Sequence, residues 1–180
     1  MAGNGDDVAA AVADVLTVVR DWTTWYIEHE LGLRVAAGDP ATVDLHRVQL
    51  RDVTSMVGIG GDINAFVALS FDGALIDHIS AALTGGIDVS DMDAQELRED
   101  AAGEVANTIA GNSTANLADD GQALSLTPPV AFANTKSVCR DRDATCWTVA
   151  FQTDGGALDV TVMCAGRCGS GADQDMGDAG

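Results

Sequence analysis

Residues 93–117 read DAQELREDAAGEVANTIAGNSTANL, and this stretch predicts the long helix around which the rest of the chain is organised. Asp93 is a suitable N-cap, and Glu96, three residues later, completes the pattern of a capping box. Gly121 is predicted to end the helix. One stripe at helical spacing is expected to face inward: Leu97, Ala101, Val105, Ile109 and Asn112.

A second stripe on the same helix consists of Asp100, Glu104, Asn107 and Gly111, and the first three carry polar side chains. Each glycine inside a helix costs about 1 kcal/mol relative to alanine. Two glycines beside a Glu-x-x-Asn pair therefore indicate a close approach to this face. Either another molecule comes close, or Gly103 and Gly111 let a neighbouring helix pack. The neighbours of Glu104 and Asn107 are all small: Ala102, Gly103, Ala106, Ala110 and Gly111.

The composition is strongly acidic but still rich in core-forming residues. The 180 residues are 47% hydrophobic, with 28 acidic against 9 basic side chains and a net charge of −19. Lys136 is the single lysine. Because the Debye length is only ~3 Å at 1 M salt, such a chain suits a cytoplasm of high salinity. The alternative is an ordinary acidic domain with an acidic tail, and in both cases nucleic acid and anionic membranes are excluded as partners.

The first residues and the apolar runs of the sequence indicate in which compartment the protein is expected. The chain starts MAGNGDD, which does not resemble a signal peptide, and no apolar run approaches the ~20 residues of a membrane span. We therefore expect a cytoplasmic protein with reduced thiols. The cysteines form no Cys-x-x-Cys pair and are interpreted as small hydrophobic residues, a metal site or disulfide being the alternative: Cys139, Cys146, Cys164 and Cys168.

The order of elements predicts an α+β fold with a mostly antiparallel sheet and helices packed over it. Tight turns join the consecutive strands, at Gly60-Gly61-Asp62 and at Asp154-Gly155-Gly156. Residues 6–165 are expected to form one domain, and the acidic, glycine-rich residues 166–180 a disordered tail. Helices are predicted at 6–31, 74–83 and 93–117, and strands at 43–48, 53–59, 63–71, 123–126, 130–138, 146–153 and 157–164.

Few residues offer catalytic chemistry. His29, His46 and His78 are scattered over different elements and are interpreted as surface or boundary residues, and no spacing argues for a catalytic metal. Glu104 and Asn107 remain as the candidate catalytic residues. An asparagine amide can hold a water as donor and acceptor, and phosphoryl transfer depends mainly on such positioning. A glutamate one turn away can bind a cationic group on a partner. The alternative is a solvated helix face.

The motif Asp100-x3-Glu104-x2-Asn107, followed by IAGN at 109–112 and Pro128-Pro129, resembles the CheX branch of the CheC/CheX/FliY phosphatases. The family places a proline a little over twenty residues after the asparagine, whereas 20 residues separate Asn107 from Pro128 here. The segment 52–72 also resembles the family's hairpin, and LTGG at 83–86 the end of its second helix. The likeness covers roughly residues 8–164.

The resemblance implies a phosphatase acting on a phosphorylated, CheY-like chemotaxis response regulator. It implies that Glu104 contacts the regulator's active-site lysine and that Asn107 orients water against the aspartyl phosphate. Asp100 matches the first motif position and is given a supporting role. The resemblance implies no cofactor in this chain, since the Mg²⁺ belongs to the regulator.

The same resemblance predicts one site per chain. CheC-type members carry two, but here Glu28 and Glu30 are followed at the third position by Leu31 and Leu33 rather than asparagine. A homodimer through the sheet is expected, as in CheX. The alternatives are a non-catalytic module that binds or sequesters the regulator, and a structural flagellar or adaptor module.

Overall fold

The computed structural model describes residues 4–44, 48–85, 91–119, 121, 123–135 and 145–164. These residues form three helices, α1 (Asn4–His29), α2 (Gly73–Thr84) and α3 (Ala94–Asp119). They also form eight strands: β1 (Val35–Ala37), β2 (Ala41–Asp44), β3 (Val53–Gly61), β4 (Ala65–Phe71), β5 (Leu124–Leu126), β6 (Val130–Ala133), β7 (Thr145–Thr153) and β8 (Gly156–Cys164).

All described strands belong to one sheet in which every pairing is antiparallel. The order is β1-β7-β8-β4-β3-β5, with β2 also paired to β7 and β6 also paired to β3. The two predicted hairpins form its centre: β3 pairs with β4, and β7 pairs with β8 from Thr145↔Cys164 to Thr153↔Gly156. The predicted α+β class with a mostly antiparallel sheet is confirmed.

The helices cover one face of this sheet, and the core lies between the two layers. α3 contacts β3, β4, β5 and β6 as well as both other helices. In the central strands, every second residue faces the helices, as the period of two requires, and β4 buries Val67, Leu69 and Phe71 completely in this way. Burying each such side chain is worth about 1.5–3 kcal/mol. The largest buried side chains come from strands and helices alike: Phe71, Phe151, Ile27, Leu69, Leu75, Ile76, Ile79, Ile109, Leu117 and Leu158.

Both predicted ends of α3 are observed. Asp93 accepts hydrogen bonds from the N–H groups of Gln95 at 2.8 Å and Glu96 at 3.2 Å, as an N-cap does. At the other end, Gly121 has φ +95° and donates its N–H to the Ala118 carbonyl at 2.9 Å. A residue with a Cβ is strained at that φ, which explains the glycine.

Several predicted bounds differ from the structure: the helix predicted at 6–31 is observed as Asn4–His29, and the strand predicted at 63–71 begins at Ala65. β1 was not predicted, because three residues are too few to show an alternating pattern; its register with β7 runs from Val35↔Thr153 to Ala37↔Phe151. Of the strand predicted at 43–48, residues 43–44 belong to β2, which begins earlier, at Ala41, and residue 48 is not strand. Residues 45–47 lie outside the described residues. The strand predicted at 130–138 ends at Ala133, because residues 134–135 are not strand. Residues 136–138 and the tail predicted at 166–180 lie outside the described residues.

Candidate functional site

The outer face of α3 presents the predicted site residues to solvent. Asp100, Glu104 and Asn107 are all exposed, while Val105 and Ile109, on the opposite side of the same turns, are each 1% exposed. The prediction of an exposed Glu104/Asn107 pair over a buried Val105 and Ile109 is confirmed. Because the buried residues fix the rotation of the helix, the acid, the glutamate and the asparagine must point outward together.

These three side chains line one open groove of about 690 Å³, here named the α3 groove. The helix supplies one side. The connection between β5 and β6, residues 127–129, supplies the other and is here named the proline wall. The full lining is Glu99, Asp100, Gly103, Glu104, Asn107, Leu126, Thr127, Pro128, Pro129 and Ala131.

The two helix glycines have different surroundings, and neither receives a neighbouring helix. A Cβ on Gly103 would lie 3.9 Å from Pro129 Cγ, so this glycine faces the proline wall. A Cβ on Gly111 would meet nothing within 4 Å. The packing alternative considered for these glycines is therefore wrong, and the open space beside Gly103 belongs to the groove.

The buried face of α3 is wider than the predicted stripe. Ala102, Ala106 and Ala110, expected to flank the polar pair, are each 0% exposed and belong to the core. Leu97 and Asn112, expected to face inward, are only half-buried. Alanine allows the helix to lie close to the sheet, which explains why the small residues sit inside rather than around the polar pair.

The groove carries negative charge. Glu99, Asp100 and Glu104 contribute three carboxylates, and no lysine or arginine is among the residues that line it. The nearby Arg98 is engaged elsewhere, since its guanidinium makes two hydrogen bonds, of 2.6 and 2.8 Å, to Asp77 of α2. Gln95 Nε2 donates to Glu99 Oε1 at 2.8 Å and so orients that carboxylate. The arrangement attracts a cationic group.

The negative charge of Glu104 also acts on a side chain of α1, Tyr26. Burial raises the pKa of the Tyr26 phenol above its usual value, and the negative charges of Glu30 and Glu104 raise this pKa further. Tyr26 is 6% exposed and belongs to the same buried cluster as Val105 and Ile109 of α3. Glu30, the residue after the end of α1, and Glu104 of α3 therefore place like charges near one buried aromatic ring.

The other candidate groups do not join the site. His29 lies exposed at the end of α1, where its ring stacks on Trp25 at 5.0 Å, and His78 is exposed on α2. His46 is outside the described residues, as are Cys139 and Cys168. Cys146 is buried beside Ala68 and Met163, as expected of a small hydrophobic residue. Within the described ranges, no group of three His, Cys, Asp or Glu side chains could hold a metal ion.

Sequence reasoning missed part of the groove. Glu99 and Thr127 were not singled out, and Pro128-Pro129 was interpreted as part of the family resemblance. A signal was available, because two consecutive prolines cannot donate ladder hydrogen bonds and must leave the sheet. What the sequence did not reveal is that this excursion passes beside Gly103, which depends on how α3 lies over β3.

A family model described as the chemotaxis phosphatase CheX matches residues 53–152, more than half of the chain. The chain belongs to the CheX family. The CheY-P phosphatase CheX of Thermotoga maritima is 29% identical over 126 residues, which cover 70% of this chain and 74% of that protein. The resemblance stated from the sequence is thereby confirmed.

Solved CheX structures share the fold. The chemotaxis protein CheX of Desulfovibrio desulfuricans superposes with a TM-score of 0.70 at 21% identity, over 88% of this chain and 99% of that one. The CheX of a Borrelia burgdorferi complex with CheY, BeF3 and Mg²⁺ has a TM-score of 0.67 at 19% identity, over 83% and 97%. In the described part of our CheX-family chain, no helix is long and apolar enough to cross a membrane.

Proposed function

We propose that this chain dephosphorylates a phospho-aspartyl, CheY-like response regulator in chemotaxis, through one Glu104/Asn107 site. The observation that carries the proposal is the exposure of both side chains in the α3 groove, on a helix inside the region that matches the CheX family. The name of the Thermotoga maritima relative, a CheY-P phosphatase, supports the same reaction.

We assign to Asn107 the role of holding the attacking water. An amide is no base near neutrality, but it can accept one hydrogen bond from the water and donate another, and so hold the water in line. The water oxygen attacks phosphorus, the bond between phosphorus and the aspartyl oxygen breaks, and the products are inorganic phosphate and the free carboxylate. Little more is required of the protein, because phosphoryl transfer is catalysed chiefly by positioning and charge neutralisation.

Glu104 is assigned the contact with the partner. Its carboxylate is exposed one turn from Asn107, and a lysine ammonium on the regulator would form a charge-assisted hydrogen bond with it. Asp100 has a supporting role, since it adds negative charge to the same groove without lying beside the amide. Three carboxylates without a cation among the lining residues favour a partner that presents positive charge to the groove.

The Mg²⁺ ion is expected in the regulator rather than in this chain. The Borrelia burgdorferi complex contains CheX, CheY, BeF3 and Mg²⁺, which supports a Mg²⁺ ion at the phosphoryl site of the partner. That ion would neutralise the charge on the phosphoryl oxygens. The chain itself would contribute the amide and the carboxylate, both from α3.

The test is the loss of phosphate from the regulator over time in molar KCl, with the wild type and three variants. Asn107→Ala should bind the beryllofluoride-loaded regulator almost normally but lose most of the acceleration, because a misplaced reacting group costs about a hundredfold. Glu104→Ala should weaken both binding and acceleration. Asn116→Ala is the matched control, since Asn116 is exposed on the same helix outside the α3 groove.

Other results would favour the alternatives. Decay that is equal with wild-type protein and with buffer alone contradicts the phosphatase. If the wild type then still binds the beryllofluoride-loaded regulator, the chain is a sequestering module; if it does not bind, an adaptor role takes its place. Strong acceleration retained by Asn107→Ala contradicts the role given to the amide.

We also propose that the protein works in the cytoplasm as a homodimer joined through the sheet. Apolar side chains on the face of the sheet away from the helices support this assembly, because Phe66 is 48% and Val130 63% exposed. Such an assembly leaves the α3 groove free on both chains. Sedimentation in molar KCl should show twice the monomer mass, and a monomer at all concentrations contradicts the dimer.

A further inference from the structure

The side chain of Thr127 attaches the proline wall to β3. The β3–β5 pairing ends at Ile59↔Leu126, so Gly58 and Thr127 come next on the two strands. The Thr127 N–H donates to the Gly58 carbonyl at 2.9 Å, as a ladder residue does. In return, the Gly58 N–H donates to the Thr127 hydroxyl at 2.9 Å. A side-chain oxygen thus takes the place that a backbone carbonyl has in a regular antiparallel pair.

The same hydroxyl continues into the proline wall. Thr127 Oγ1 donates to the Pro128 carbonyl at 3.3 Å, so one hydroxyl joins β3 to the first proline. Pairing with β3 resumes only at Val130, which lies opposite Met56. Three wall residues therefore span the space of two residues on β3, as in a bulge. The prolines cannot add N–H donors, which leaves Thr127 to hold this excursion.

Gly58 provides the room for this contact. A Cβ at position 58 would lie 3.1 Å from both Cγ2 and Oγ1 of Thr127, and 3.3 Å from Cε1 of Phe66. Those distances are shorter than ordinary contacts between carbon atoms, which are about 3.5–4.0 Å. A side chain on Gly58 would therefore push Thr127, and with it the proline wall, away from β3.

We propose that Thr127 is a positioning residue that fixes the proline wall and so sets the width of the α3 groove for its partner. The proposal rests on the proposed function, which supplies the docked regulator. Thr127 acts through the position of Pro128 and Pro129, on the side of the groove opposite Asn107. Its loss should therefore weaken docking of the regulator more than it slows the chemical step.

The experiment compares two substitutions that separate the hydroxyl from the shape of the side chain. Thr127→Val keeps the shape without the hydroxyl, and Thr127→Ser keeps the hydroxyl without the methyl. KM and kcat are measured for phosphate loss from the CheY-like regulator of the same organism, phosphorylated with acetyl phosphate. Ser125→Ala is the control, because Ser125 lies on β5 but does not line the groove.

Thr127→Val should raise KM by about five- to tenfold, because the regulator must then order the proline wall as it docks, at a cost of the size of the one hydrogen bond that is lost. Its kcat should change by less than about twofold, since docking contacts are made equally before and during the reaction. Thr127→Ser and Ser125→Ala should behave like the wild type. The Gly58 amide should exchange its hydrogen faster in the valine variant and not in the serine variant.

An unchanged KM in Thr127→Val overturns the proposal, whether or not the Gly58 amide exchanges faster; so does equal impairment by valine and serine. A merely structural role would lower the melting temperature of Thr127→Val without raising KM. If this variant does not fold, Gly58→Ala replaces it: the added Cβ should push Thr127 away from β3 and so raise KM as well. An unchanged KM there also contradicts the proposal.

Failure of the proposed function is visible separately. If the wild type does not accelerate phosphate loss, that function fails whatever happens at Thr127. The affinity for the regulator loaded with beryllofluoride and Mg²⁺ then replaces KM as the readout. Equal affinity of Thr127→Val and wild type overturns the positioning role, and a five- to tenfold weaker affinity, again the effect of one hydrogen bond, supports it.

Discussion

The two long helices have the same length, 26 residues, and pack against each other, yet only α3 combines a glutamate and an asparagine with a groove. Glu28 of α1 is also exposed, but α1 ends at His29. The position three residues after Glu28 is Leu31, which lies beyond the helix and packs against the core. Glu28 therefore lacks both the further helical turn and the polar residue at the third position that Glu104 has.

The neighbours of the two helices differ as well. On α1, Trp22 and Trp25 form an edge-on pair with ring centres 5.4 Å apart, and they line a smaller depression of about 260 Å³. On α3, Gly103 leaves room beside Pro129. The difference teaches that the candidate site consists of three parts: a polar pair inside a helix, a small residue beside it, and a fixed wall opposite.

The largest expected effect is on stability. Loss of a buried side chain should destabilise the protein equally whether it comes from α1 or from α3. Ile27→Ala on α1 and Ile109→Ala on α3 remove side chains that are 2% and 1% exposed. Each should lower the free energy of unfolding by about 2–5 kcal/mol, as measured by urea denaturation. Asn107→Ala, two residues from Ile109, should stay within about 0.5 kcal/mol of the wild type. A large loss with Asn107→Ala would show that the amide supports the fold.

A second prediction concerns the negative charge that both helices carry. With a net charge of −19, repulsion should weaken the fold in dilute buffer, and the melting temperature should rise steadily toward molar KCl. Glu30→Gln removes one of the two charges that act on Tyr26 and should reduce this rise. A melting temperature that is flat with salt contradicts adaptation to high salinity.

The smallest expected effect separates the two glycines of α3. Gly111→Ala should stabilise the protein by about 0.5–1 kcal/mol, because alanine is the better helix former and a Cβ there meets nothing within 4 Å. Gly103→Ala should give a similar gain but narrow the α3 groove beside Pro129 and slow phosphate loss. Equal activity of both variants would show that the space beside Gly103 is not used.

Much of this arrangement could be predicted from the sequence, because it depends on local signals. Helical spacing placed Glu104 and Asn107 outside Val105 and Ile109, and Asp93 and Gly121 gave the helix its ends. The family resemblance, carried by that motif, was confirmed as well.

The rest depended on contacts between distant segments. Thr127 shows no local pattern, and its partner Gly58 lies 69 residues away. β1 was missed because a three-residue strand is defined by its pairing with β7 rather than by its own sequence. The burial of Ala102 and Ala106 likewise follows from how closely α3 lies on the sheet.

The most direct test is the rate of phosphate loss from the regulator when it is saturated with protein, compared between wild type and Asn107→Ala. Saturation removes differences in binding, so the rate reports the chemical step alone. We predict that the wild type accelerates phosphate loss and that the rate with Asn107→Ala is about a hundredfold lower. The rate in buffer alone is the lowest value that the variant can reach. A saturated rate that is the same for wild type and Asn107→Ala would contradict the account.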